Sequence, residues 1–259
     1  MDGKNSKPHA AMRLRSPIRG ILSRLDGRID LTAIACVARA VAVATALSFP
    51  AAPLLAQDHD FQQWTLLVAQ GRINENIVLQ AEVQPRLTDD ASRLGQIQIS
   101  PSLGYKFTKK VTGVAGYMFV HTDPADRPAK DEHRLFQQIA YPIGKLGDAS
   151  FTARTRLEER MIVNSQDVVW RLRQQVRAQV PLTERSGPVL VVWSEGFYNL
   201  NNGDWGARAG FDRWRNFLGV DLTVGKHLTL EPGVIEQVVF RKGSDHFDHI
   251  ANMTMTYRF

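Results

Sequence analysis

Val168-Val-Trp-Arg-Leu-Arg-Gln-Gln-Val-Arg-Ala-Gln-Val180 is the stretch that decides the fold. Val168, Trp170, Leu172, Val176, Ala178 and Val180 share one parity, interrupted only by Gln174. Arg171, Arg173, Gln175, Arg177 and Gln179 share the other. A period of two belongs to a strand, whose successive side chains point to opposite faces of a sheet. One face of this strand is apolar and the other is strongly polar. An arginine facing hydrocarbon at mid-membrane costs ~2–4 kcal/mol. If the apolar face meets lipid, the guanidiniums therefore point into a lumen.

The alternation recurs on both sides of this stretch. Ile77, Leu79, Ala81 and Val83 oppose Gln80, Glu82, Gln84 and Arg86, and Ile97, Ile99, Leu103, Tyr105 and Phe107 oppose Gln96, Gln98, Ser100, Ser102 and Lys106. Trp214, Leu218, Val220, Leu222 and Val224 oppose Arg213, Arg215, Asp221 and Thr223. Eleven strands are predicted, at 61–71, 75–86, 96–106, 111–122, 134–143, 150–160, 168–180, 188–199, 213–224, 228–241 and 248–259. Short connections alternate with longer polar ones, as on the two rims of an outer-membrane barrel. No apolar run in residues 57–259 is long enough for a spanning helix.

The expected fold is all-β: a single antiparallel, transmembrane, up-and-down β-barrel of about 10–12 strands. Single-chain bacterial barrels normally have an even strand number, so a count of eleven calls either for a split or missed strand or for an unusual closure by the first segment. A soluble sandwich also alternates, but its strands usually run about 5–6 residues, shorter than these. A soluble ligand barrel alternates in the opposite sense, with apolar residues inside. Trp64, Tyr105, Tyr117, Phe119, Tyr141, Trp170, Trp214, Tyr257 and Phe259 are assigned mostly to the apolar parity near strand ends, as interfacial girdles.

Composition points to export. The 259-residue chain has 32 Lys and Arg against 26 Asp and Glu. Residues 1–56 hold eight of the basic residues, three Asp and no Glu, leaving 24 basic and 23 acidic residues in the remainder. The basic excess thus belongs mostly to the leader and is no footprint of nucleic acid. An arginine-rich flank, the apolar run Ala40–Leu47, Pro50 and Pro53, and Leu54-Leu-Ala56 before Gln57 read as a cleaved signal, with the barrel over 57–259. Arg39 interrupts the run before it could anchor a membrane helix, and Met12 is an alternative start. The single cysteine, Cys36, precedes most of the apolar run, whereas a lipid-attachment signal has its apolar stretch first. The expected location is the bacterial outer membrane, reached through the periplasm.

The ending Met253-Thr-Met255-Thr-Tyr257-Arg-Phe259 resembles the carboxyl-terminal signature of bacterial outer-membrane barrels. That resemblance implies recognition of Met255, Tyr257 and Phe259 by the barrel-assembly machinery, with membrane lipid and lipopolysaccharide as surroundings. The chain from Asp60 to Phe259 resembles an outer-membrane family catalogued as domain of unknown function 2490. The residues that carry this are Phe61-Gln-Gln-Trp64, Leu79-Gln-Ala-Glu82-Val-Gln-Pro-Arg86, Leu103-Gly-Tyr-Lys-Phe107, Gly113-Val-Ala-Gly-Tyr117, Arg171-Leu-Arg173-Gln and Phe217-Leu-Gly219-Val-Asp221. The resemblance brings no catalytic residues with it.

The polar parity supplies the candidate site: Glu82, Arg86, Arg154, Arg156, Glu158, Arg160, Arg171, Arg173, Arg177, Asp221 and Arg258, with Glu195 and Glu231 less securely assigned. Guanidinium suits such a place because its planar donors fit carboxylate or phosphate bidentately. The residues either brace a closed lumen as an ion-pair network or form an anion-selective path. The expected function is a structural or small-solute channel role. The alternatives are a lipid- or lipopolysaccharide-modifying enzyme at the rim and a soluble periplasmic β-protein. His246, Asp248 and His249 form the candidate rim site, as acid–base groups or as metal ligands. No catalytic residue, metal or cofactor is assigned.

Overall fold

A computed structural model describes residues 58–183 and 187–259; the leader expected over 1–56, with Cys36, lies outside them. Eleven strands account for most of the described chain: β1 (Asp58–Arg72), β2 (Ile77–Thr88), β3 (Arg93–Lys106), β4 (Thr112–Thr122), β5 (Lys130–Leu146), β6 (Ala149–Ile162), β7 (Val168–Pro181), β8 (Val189–Asn199), β9 (Gly210–Val224), β10 (Leu228–Val239) and β11 (His246–Arg258). Each consecutive pair is antiparallel, and the sheet closes into a barrel where β1 meets β11. No helix of the described residues is long and apolar enough to cross a membrane, which says nothing about crossing by strands.

The closure answers the parity question. In an up-and-down chain with an odd number of strands, the first and last run in the same direction. The β1–β11 seam is accordingly parallel, in register from Asp58↔His246 to Gln70↔Arg258. The expected all-antiparallel barrel is corrected at this one seam. Parallel pairing is slightly less stable per residue, and side chains reinforce both ends of the seam. At one end His59 Nδ1 lies 3.0 Å from His249 Nε2, and Gln62 donates to Asp248 at 2.7 Å. Asp58 accepts from Arg241 at 3.2 Å, and His246 Nδ1 lies 2.9 Å from the same carboxylate. At the other end the Phe259 N–H donates to the Gln70 carbonyl at 3.0 Å. The Phe259 ring lies against Gly71, where a side chain would have to displace that exposed ring.

The two faces of the sheet separate by residue type. On β7, Arg171 and Arg173 are 2 % and 9 % exposed, whereas Trp170 and Leu172 are each 38 % exposed. Leu67, Leu79, Leu103, Leu135, Leu218 and Val234 continue the apolar belt on the outside. Aromatic pairs flank it at both rims: Tyr105 with Phe107 and Tyr257 with Phe259 near the carboxyl terminus, and Tyr198 with Phe211 at the opposite rim. Trp64 is a correction. It is 3 % exposed and faces the lumen with Gln62, because β1 carries apolar residues on both parities and its alternation is ambiguous. The contrast between rims is also weaker than expected. The connection 89–92 is short on the rim of longer loops, and 182–188 is longer than its neighbours on the other.

Candidate lumenal site

Strand pairing places the polar parity of β5 to β9 in one lumenal wall. On β6 and β7, Glu158 is opposite Arg171 and Arg156 is opposite Arg173. Glu158 is 1 % exposed. It accepts two bonds from Arg171, at 2.9 and 2.6 Å, and one from Arg173 at 2.7 Å, with Arg156 at 3.7 Å. Glu195 on β8 takes the other side of Arg173 through two bonds of 3.0 Å and accepts from Arg154 at 2.6 Å. Glu132 on β5 holds Arg134 at 2.7 and 2.8 Å and Arg160 at 2.6 and 3.2 Å. Each carboxylate thus ties arginines from at least two strand positions, which relieves the like-charge repulsion expected between β6 and β7. Arg177 on β7 pairs with Glu231 on β10, strands that are not neighbours, so this pair bridges across the lumen.

All the predicted lumen residues face inward. Glu82, Arg86, Arg154, Arg156, Arg160, Arg171, Arg173, Arg177, Asp221 and Arg258 line a cavity of about 490 Å³, and Glu158 is buried in its wall. Glu132 and Arg134 join this wall without having been expected there. The fifth strand begins at Lys130, earlier than predicted, and Glu132, Arg134, Phe136 and Gln138 share one parity along it. Asp212 is unexpected for a different reason. A bulge between Phe197 and Tyr198 leaves Asp212 outside the regular pairing of β8 with β9. Both Asp212 and Arg213 then turn inward, and Asp212 accepts from Arg213 at 2.7 Å and Arg171 at 3.5 Å. Bulges redirect side chains in this way, and alternation alone does not reveal them.

Aromatic rings organise the guanidiniums further. Arg86 and Arg215 lie 3.6 and 4.9 Å from the Trp64 ring centroid. Arg173, Arg215, Arg171 and Arg213 lie 4.5, 4.7, 5.4 and 5.8 Å from that of Phe197. Ring faces are negative and attract cations. Apolar side chains share the interior: Trp64, Val191, Phe217, Ile235 and Ile250 cluster together, with Trp193 against them, and Met118, Val120 and Phe136 form a second cluster.

The β8–β9 loop reaches a lumenal arginine. Trp205 stacks on Arg160, with the guanidinium carbon 4.7 Å from the ring centroid. Asp204 ties this loop to the β6–β7 loop by accepting from the Ser165 hydroxyl and from the Gln166 N–H at 3.0 Å. Those bonds, the Ser165 hydroxyl first, hold the Asp204 carboxyl below the usual carboxylate range. A depressed carboxyl contributes above its unfolded-state value and loses that contribution as pH falls through the folded one. The tie is therefore expected intact at neutral pH and released in acid. Asp204→Asn is expected to speed amide exchange at Gln166 roughly tenfold at neutral pH, read by hydrogen–deuterium exchange.

The candidate rim site is not assembled. β11 already begins at His246, so alternation governs the triplet. His246 and Asp248 face inward, 2.9 Å apart, whereas His249 faces outward against Glu236 at 2.6 Å. Among the described residues no group of three or more His, Cys, Asp or Glu is placed to hold a metal ion. Met255, Tyr257 and Phe259 lie on the outer face.

Residues 61–248 match the family described as Protein of unknown function (DUF2490). An uncharacterized protein of Methylorubrum extorquens is 35 % identical over 202 residues, which cover 77 % of this chain and 88 % of that protein. The matched region runs from the first strand to the start of the last and includes the whole arginine–carboxylate wall. The chain belongs to the DUF2490 family.

Proposed function

We propose that the mature chain is an outer-membrane barrel that admits small anions into an arginine-rich lumen. The observation that carries this is charge imbalance in an internal cavity. Its lining includes eleven arginines but only five carboxylates, and runs from Thr122 and Arg160 toward the loop-rich rim to Thr229 and Arg258 at the other. Glu158 and Asp212, behind the lining, do not close the gap. A structural brace alone needs no such excess. The outward apolar belt with aromatic rims is suited to hydrocarbon flanked by headgroups, including lipopolysaccharide. The outward Met255, Tyr257 and Phe259 suit a terminal strand read during assembly.

The parallel seam fits removal of the leader. Asp58 is paired with His246 at the loop-rich rim, opposite the carboxyl terminus. Cleavage after Ala56 leaves one residue ahead of β1 at that rim, whereas an intact leader would carry eight basic residues to it. The lipid-modifying alternative loses its proposed site, since His249 looks away from His246 and Asp248.

Planar-bilayer recording is the test. The purified barrel is expected to give ohmic steps with anion preference, and Arg258→Glu is expected to reduce that preference. Trp205→Ala is expected to raise conductance roughly twofold by removing the ring stacked on the lumenal Arg160. Absence of steps, or a preference for cations, sinks the channel reading. Recovery in the soluble periplasmic fraction sinks the membrane reading.

A further inference from the structure

We propose that the lumen contains a discrete oxyanion subsite built on Arg215, taking one carboxylate or phosphate group of a small solute. The subsite rests on the lumen being open to solutes. Arg215 is 7 % exposed and lines the cavity. Its position is held from three sides: Nε donates to Gln237 at 2.6 Å, and the guanidinium carbon lies 4.9 Å from the Trp64 centroid and 4.7 Å from the Phe197 centroid. Its cross-strand neighbour Glu195 is committed to Arg154 and Arg173. Among the described residues no carboxylate lies within ion-pair distance of Arg215, and its two terminal nitrogens make no hydrogen bond to protein.

Arg86 stands against the same Trp64 ring and also lacks a carboxylate. Its donors are engaged by the neutral amides of Gln84 and Gln96 at 2.7 to 3.1 Å. Arg86 therefore adds positive potential while Arg215 keeps donors free. The other cavity arginines are less suited to this role. Arg173 and Arg171 are saturated by carboxylates, Arg156 is 3.7 Å from Glu158, and Arg258 is at the rim, bonded to Thr229 at 2.7 Å. A buried cation without a counter-charge is costly, and a bound anion supplies that counter-charge.

The chemistry sets the ligand class. A fixed guanidinium edge offers two parallel N–H donors, which match two oxygens of a carboxylate or phosphate better than a single halide. Trp193 and Ile235 line the same cavity, so an anion with an apolar body gains additional burial.

The test is calorimetric titration of the detergent-refolded barrel with inorganic phosphate, acetate and benzoate, each in chloride buffer. Saturable binding to wild type that weakens at least tenfold in Arg215→Gln, as loss of a bidentate charged pair demands, supports the subsite. Arg215→Lys keeps the charge but not the planar fork and is expected to bind nearly as weakly. Arg127→Gln, on an exposed loop, is expected to match wild type. Benzoate binding tighter than acetate points to an organic carboxylate, and phosphate tighter than either points to a phosphate-bearing solute; both require the Arg215 dependence. Arg215→Gln removes an unpaired buried charge, and retained heat-modifiable gel mobility verifies that it folds. No saturable binding, or equal affinity in wild type and Arg215→Gln, overturns the subsite. Anion-selective conductance without saturable binding removes the subsite and leaves the channel. Arg215-dependent binding without conductance does the reverse.

Discussion

Glu158→Gln is expected to destabilise the barrel by ~3–5 kcal/mol, the usual cost of breaking a buried ion pair by removing one partner. Glu158 contacts Arg171, Arg173 and Arg156, and its neutralisation leaves these buried guanidiniums sharing the carboxylates that remain. Arg173 keeps Glu195, but Arg171 keeps only Asp212 at 3.5 Å. The measurement is urea unfolding of the barrel in lipid vesicles, followed by tryptophan fluorescence. Arg241→Ala at the exposed rim, whose partner is Asp58, is the comparison and is expected to cost at most ~1 kcal/mol. Equal losses in the two variants would mean that the lumenal network does not brace the barrel.

The second large effect concerns the closing seam. Gln63 and Ala251 are register partners across β1 and β11. Adjacent strands lie roughly 4.7–4.9 Å apart, within the Cα separation of roughly 4.4–6.8 Å that a disulfide accepts. With Cys36 replaced by serine, Gln63→Cys plus Ala251→Cys is expected to cross-link almost completely under mild oxidation, giving a mobility shift reversed by reductant. Gln63→Cys plus Met255→Cys is expected not to, since Met255 is opposite Leu67, four positions along β1. The reverse outcome would disprove the parallel seam and with it the odd strand number.

The parallel closure shows where sequence reading stops. Eleven alternating stretches are legible, including the decisive one at Val168–Val180, and the structure has eleven strands. The pattern of one strand says which residues share a face, yet it contains nothing about the direction of a partner distant in the chain. The inward placement of Trp64 is hidden because β1 is apolar on both parities, so a period of two does not single out a face there. Asp212 is hidden because a bulge changes its face through pairing with β8, and the rim triplet is split because β11 already starts at its first residue.

Alternation in the sequence by itself determined the all-β barrel and set Arg154, Arg156, Arg171 and Arg173 on the face opposite the apolar side chains, since successive side chains of a strand point to opposite sides of the sheet. Only the tertiary structure decided which carboxylate meets which arginine. Glu158 and Glu195 are shared across three neighbouring strands, Arg177 reaches over the lumen to Glu231, and Arg215 is left between two aromatic rings with its neighbour Glu195 committed to other arginines. Period and parity are local properties of a chain, whereas charge balance depends on the strand register and on the distances that closure of the sheet imposes.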